Sequence, residues 1–173
     1  MSTSTINGTR SSVSKNRSTS LVRGLNAILL ILLAAQFLVG MLVNLFVQVP
    51  AVHPGTNADN YFVGVAQGVI WALGNATLYL LLHVILGLLL FVGSIVQLIL
   101  AIIARRRAWI VVSIFGLLGI MAAGFNGASF MNYGHDFSSL LMAIGFLLAA
   151  IPYTIGLTVT PTHSSASESA LKR

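Results

Sequence analysis

The sequence predicts an all-α, integral membrane four-helix bundle, and three observations carry that prediction. Charged residues make up 7% of the 173-residue chain and apolar residues 57%, against roughly 25% charged in ordinary soluble domains. A soluble fold of this length could not hide so much apolar surface, so the excess faces lipid. Four apolar stretches approach or exceed the span of about 20 residues that crosses a hydrocarbon core. All nine Lys and Arg residues then fall on one side of a four-span topology.

In chain order, residues 1–22 read as a disordered basic tail, rich in Ser, Thr and Asn with scattered positive charge. A four-helix transmembrane domain follows over 23–159, with its first span at about 25–47. That apolar run is longer than a signal-peptide core and places Gln36 and Asn44 on a shared face, so it reads as an uncleaved span. The connection from Gln48 to Gly74 opens with the turn-rich "QVPAVHPGTNADN" and continues "YFVGVAQGVIWALG". In the second part Ala66, Val69, Ile70 and Leu73 share a helical face beside Tyr61, Phe62 and Trp71, which predicts a short interfacial helix. The second span occupies 77–103 and the third 109–126, separated by Arg105, Arg106 and Arg107. The stretch "GFNGASFMNYGHD" leads into the fourth span at 137–159, and 160–173 form a flexible tail.

The charge pattern sets an orientation. Arg10, Lys15, Arg17 and Arg23 precede the first span, the three arginines fill the second connection, and Lys172 and Arg173 close the chain. By the positive-inside rule both termini are cytoplasmic in a plasma membrane. The net charge of +6 therefore anchors helix ends at anionic lipid and does not point to nucleic acid. The expected partners are the lipid bilayer, other membrane proteins or a second copy. The chain has no cysteine, which excludes disulfides, thiolate metal sites and cysteine nucleophiles.

Helical periodicity gives each span an inward face. Ser138, Met142, Gly145, Ala149, Pro152 and Gly156 step by four and three along the fourth span, and Leu80, His83, Gly87, Leu90, Ser94 and Gln97 along the second. Gly116, Gly119, Ala123 and Asn126 do so in the third, and Gln36, Gly40 and Asn44 sit four apart in the first. Small residues at this spacing let helix backbones approach closely in lipid. Pro152 lacks an N–H and is expected to kink the fourth helix. Arg105 to His83 is 22 residues, about 33 Å at 1.5 Å per residue. Matching counts from Arg23 to Asn44 and from Arg107 to Asn126 place Asn44, His83, Asn126 and Ser138 in one polar layer near the outer boundary, with Gln36 on the same inward stripe.

That layer frames the candidate chemistry. A b-type haem needs axial histidines on facing helices, and His83 with His135 is the available pair. A transition-metal site would draw on His53, His83, His135 and Asp136, whose imidazoles and carboxylate suit zinc, copper or nickel. Proton-coupled transport fits poorly, because the spans hold no Asp, Glu, Lys or Arg deep in the membrane. Hydrolysis fits no better, since Ser129, Ser138 and Ser139 lie in no nucleophile-elbow motif. The alternative for His83 is a neutral imidazole bonded across the bundle, to Asn44 or Asn126.

The motifs Q-x₃-G at Gln36 and Gly40 and H-x₃-G at His83 and Gly87, with "HPG" and "NGASF", resemble those of uncharacterised bacterial four-span membrane proteins over roughly residues 25 to 158. That resemblance implies a membrane bundle and no established activity. H-x₃-G alone is similar to small cytochrome b-type bundles, which would imply a haem. The reading that joins these features is a non-catalytic interaction or accessory subunit of a membrane assembly. Its alternative is a haem- or metal-binding redox component using His83 with His135 or His53.

Overall fold

The computed structural model describes residues 4–158, so residues 1–3 and the tail expected over 160–173 lie outside the described residues. Five helices make up the fold: α1 Ser4–Phe46, α2 Tyr61–Asn75, α3 Leu78–Ile103, α4 Arg107–Tyr133 and α5 Asp136–Thr158, with no strand among the described residues. Four of them are long and apolar enough to cross a membrane, over Ser20–Phe46, Leu78–Ile103, Arg107–Tyr133 and Phe137–Thr158. The chain is a small multi-pass membrane protein with a four-helix bundle and a short fifth helix.

Two boundaries differ from the sequence expectation. Helix α1 starts at Ser4, inside the stretch read as a disordered tail. No proline interrupts residues 4–22, and each residue added to an existing helix gains a hydrogen bond without a new nucleation cost. Helix α4 continues seven residues past Asn126 to Tyr133: "GASFMNY" contains no proline, and a single interior glycine is tolerated in a helix. It stops at Gly134, whose left-handed φ of 67° closes the end while its N–H bonds the Phe130 carbonyl. Only Gly134 and His135 then join α4 to α5.

The spanning helices form a ring in which α1 packs on α3, α3 on α4, α4 on α5 and α5 on α1, while α2 lies against α3 and α4. The end carrying Arg23 and Arg105–Arg107 is the basic end, and the end carrying α2 is the cap end. Buried Leu29, Leu33, Leu90, Val112, Ile120, Ala149 and Tyr153 form the main core. A second cluster of Val22, Ala101, Ala104 and Trp109 closes the basic end. Large side chains such as Ile31, Ile103, Leu147 and Ile151 point outward, as expected where lipid is the solvent.

The tightest seam is α4 on α5. A Cβ placed on Gly145 would lie 2.6 Å from the Ala123 nitrogen and 2.9 Å from the Gly119 carbonyl, and one on Gly119 would lie 2.7 Å from the Gly145 carbonyl and collide with the Ala149 nitrogen. These are the small residues of the predicted stripes, meeting backbone to backbone. Tyr153, fully buried, lays its ring over Gly116.

Helix α2 forms where the sequence places it, with its small residues toward the bundle. Gly64, Gly68 and Ala72 are buried, while Ile70 and Leu73 are exposed. The large apolar residues need no protein partner in a membrane, whereas the glycines allow close approach. Asn60 caps α2 by accepting the Val63 N–H at 3.1 Å. The loop before it packs on those glycines: Gly55, at φ 98°, leaves no room for a Cβ against the Gly64 carbonyl.

Candidate functional site

Two polar regions lie inside the bundle. At the first, α1 and α3 interlock through the two sequence motifs. Gln36 Nε2 donates to His83 Nε2 at 3.1 Å. A Cβ on Gly40 would lie 2.9 Å from His83 Cε1, and one on Gly87 would lie 3.4 Å from Gln36 Nε2. Each motif thus supplies one polar side chain and the glycine notch that receives its mate. With the amide in this orientation His83 Nε2 accepts, so the ring proton sits on Nδ1, which is buried without a protein partner, as is Gln36 Oε1.

This pairing fixes the register of α1 and α3. Gln36 faces Gly87, Gly40 faces His83, and a Cβ on Gly93 would lie 2.9 Å from Leu29 Cδ2, all consistent with one antiparallel alignment. On it, Asn44 lies one turn beyond His83 toward the cap end. Counting from Arg23 put Asn44 level with His83 because it took Arg23 to be level with Arg105. The alignment instead sets Arg105 about five positions, near 7 Å, below Arg23.

The other members of the expected layer are held separately. Asn44 is exposed. Asn126 Nδ2 donates to the Ala122 carbonyl of its own helix at 2.8 Å. Ser138 is buried in the first turn of α5, where its backbone N–H bonds the His135 carbonyl at 2.9 Å. The partner of His83 is Gln36, not Asn44 or Asn126.

His53 and His135 belong to the cap. His53 is buried, with Nδ1 3.0 Å from the Pro54 carbonyl and Nε2 3.2 Å from that of Met131, and its ring stacks on Trp71 at 4.6 Å. Both ring nitrogens therefore already face protein carbonyls. His135 is exposed and stacks on Tyr133, and Asp136 opens α5. Among the described residues no three His, Cys, Asp or Glu side chains converge as a metal site would require. Tyr61 ties the cap to α4 by donating to the Phe125 carbonyl at 2.9 Å, with Ser129 Oγ at 3.0 Å. Tyr133 donates to the Ala58 carbonyl. Much of "NGASFMNYGHD" thus serves to seat the loop and α2. A cavity of about 390 Å³ opens between the start of the loop and the end of α4, lined by Val47, Pro50, Asn57, Phe130, Met131 and Tyr133 among others.

The second polar region lies toward the basic end. Asn26, Ser94, Gln97, Ser113 and Tyr153 are each fully buried. Asn26 Nδ2 donates to the Tyr153 carbonyl at 2.6 Å, and Gly156 makes room for it, since a Cβ there would lie 2.8 Å from Asn26 Oδ1. Ser94 and Ser113 donate to carbonyls of their own helices, those of Phe91 and Trp109. Asn26 Oδ1, both amide atoms of Gln97 and the Tyr153 hydroxyl have no protein partner. The α1–α3 register that joins Gly40 to His83 also sets Asn26 level with Gln97.

Sequence reasoning places Ser94 and Gln97 on an inward stripe but misses Asn26 and Ser113, although their signal is present. Asn26, Leu29 and Leu33 extend the stripe of Gln36 and Gly40 by the same steps of three and four, and Ser113 extends that of Gly116. Compared with protein-family models, with curated proteins and with solved structures, the chain matches none.

Proposed function

We propose that this four-span protein is a non-catalytic accessory or interaction subunit of a membrane assembly, seated in the plasma membrane with both termini cytoplasmic. The observation that carries the reading is the Gln36–His83 interlock. The one histidine within a span spends its side chain on joining α1 to α3. The one-sided distribution of Lys and Arg supports the orientation, and the likeness of the Q-x₃-G and H-x₃-G motifs to those of bacterial four-span proteins supports the bundle as the working unit.

Two measurements test it. Protein purified in mild detergent from haem-replete cells is expected to be colourless, and His83→Ala is expected to insert and fold with a loss of about 1 kcal/mol, the scale of one hydrogen bond between membrane helices. A Soret band that vanishes in His83→Ala would replace this reading with the haem-binding one. On native gels of solubilised membranes the chain is expected to migrate in an assembly larger than its 18.3 kDa monomer with its detergent. Migration as a free monomer from native membranes sinks the accessory role.

A further inference from the structure

We propose that the polar layer near the basic end is a water-binding site, closed off from the cap end by an apolar girdle. The layer offers an uncharged set of groups: the Asn26 Oδ1 acceptor, the Gln97 carbonyl and amino groups, and the Tyr153 hydroxyl, all buried and without protein partners. Unpartnered polar atoms in the hydrocarbon region are costly, so the layer calls for a ligand that both donates and accepts.

The inventory selects the ligand class. A cation or an anion finds no opposite charge among Asn26, Ser94, Gln97, Ser113 and Tyr153. An acceptor-only molecule, such as a carbonyl or ether compound, would set its lone pairs against Asn26 Oδ1 and Gln97 Oε1. Water donates twice and accepts twice, and buried waters in proteins make about three hydrogen bonds each. The nearer aqueous boundary is at the basic end, since Asn26 is three residues along α1 from Arg23, a rise of about 4.5 Å, and water exchanges there past the Val22, Ala101, Ala104 and Trp109 cluster.

The girdle limits how far that water reaches. Leu29, Leu33, Leu90, Ile120 and Ala149 are buried together between this layer and the Gln36–His83 pair. Their side chains offer no hydrogen bond, so the chain of polar partners breaks there. The bundle holds water in one half and does not conduct it.

X-ray radiolytic footprinting of the intact protein in lipid nanodiscs tests this, because hydroxyl radicals born from bound water oxidise adjacent side chains even when bulk radicals are scavenged. Tyr153 is expected to be oxidised despite its complete burial and in the presence of a bulk scavenger. In Asn26→Leu/Gln97→Leu its oxidation is expected to fall roughly tenfold as the water loses its partners, while Tyr61 and Tyr133 of the cap keep their wild-type pattern and report an intact fold. Should the double variant fail to fold, Gln97→Leu alone is the comparison. If wild-type Tyr153 stays unmodified while exposed Tyr79 is oxidised, or if its oxidation is unchanged in a folded variant, the layer is dry and the proposal falls.

Discussion

The two seams α4–α5 and α1–α3 both rest on glycine, yet they are built on different principles. In α4–α5 two central glycines bring main chain against main chain: Gly119 and Gly145 face the backbone of Ala149 and Ala123, while Gly116 beside them receives the Tyr153 ring. In α1–α3 the glycines receive side chains, Gly40 taking the His83 ring and Gly87 the Gln36 amide. Where Gly119 and Gly145 meet the facing helix there is no soft component, because moving a backbone atom moves a helix. The α1–α3 seam has one, because a ring or an amide can swing. The presence of glycine therefore does not predict sensitivity, whereas the nature of the atom it faces does.

That contrast can be broken by a graded alanine series, read as unfolding free energy in detergent. The largest loss is expected for Gly145→Ala, whose methyl meets main-chain atoms at 2.6 and 2.9 Å. Overpacking of that kind costs about 3 kcal/mol. Gly40→Ala is expected to fall within about 1 kcal/mol of wild type, because the His83 ring yields and alanine gains about 0.5–1 kcal/mol over glycine in a helix. In a His83→Ala background the same change should turn stabilising, and equal effects in both backgrounds would show that the ring does not set the notch. The smallest effect belongs to Gly124→Ala, which faces open space and should gain about 0.5 kcal/mol. A series in which all three cost the same would refute the distinction between the seams.

The parts of the fold legible in the sequence are those governed by spacing. The stripes Gly116, Gly119, Ala123 and Gly145, Ala149, Gly156 lie at helix contacts, because close packing in lipid selects small residues at a helical repeat. What depends on height was less legible. Basic residues mark a boundary region and not a plane, so a count from Arg23 set Asn44 one turn too low. On α2 the apolar face was legible but not the inward one, which Gly64, Gly68 and Ala72 take because small residues allow close approach in lipid. Of the candidate site, the inward placement of His83 and Gln36 was readable but their bond was not, since a hydrogen bond requires the register of two helices. The Asn26–Tyr153 contact has the same origin.

The reciprocal notch also has a consequence for inheritance. Gln36, Gly40, His83 and Gly87 lie on two helices separated by a loop and a third helix, yet geometrically they form one unit. A lineage that loses the imidazole at position 83 removes the obstacle to a methyl at position 40, while one that first gains the methyl must displace the imidazole. Change at the two positions should therefore follow a preferred order, histidine first and glycine second. A search that pairs the two short motifs across the intervening segment will separate kin from chance more sharply than either motif alone.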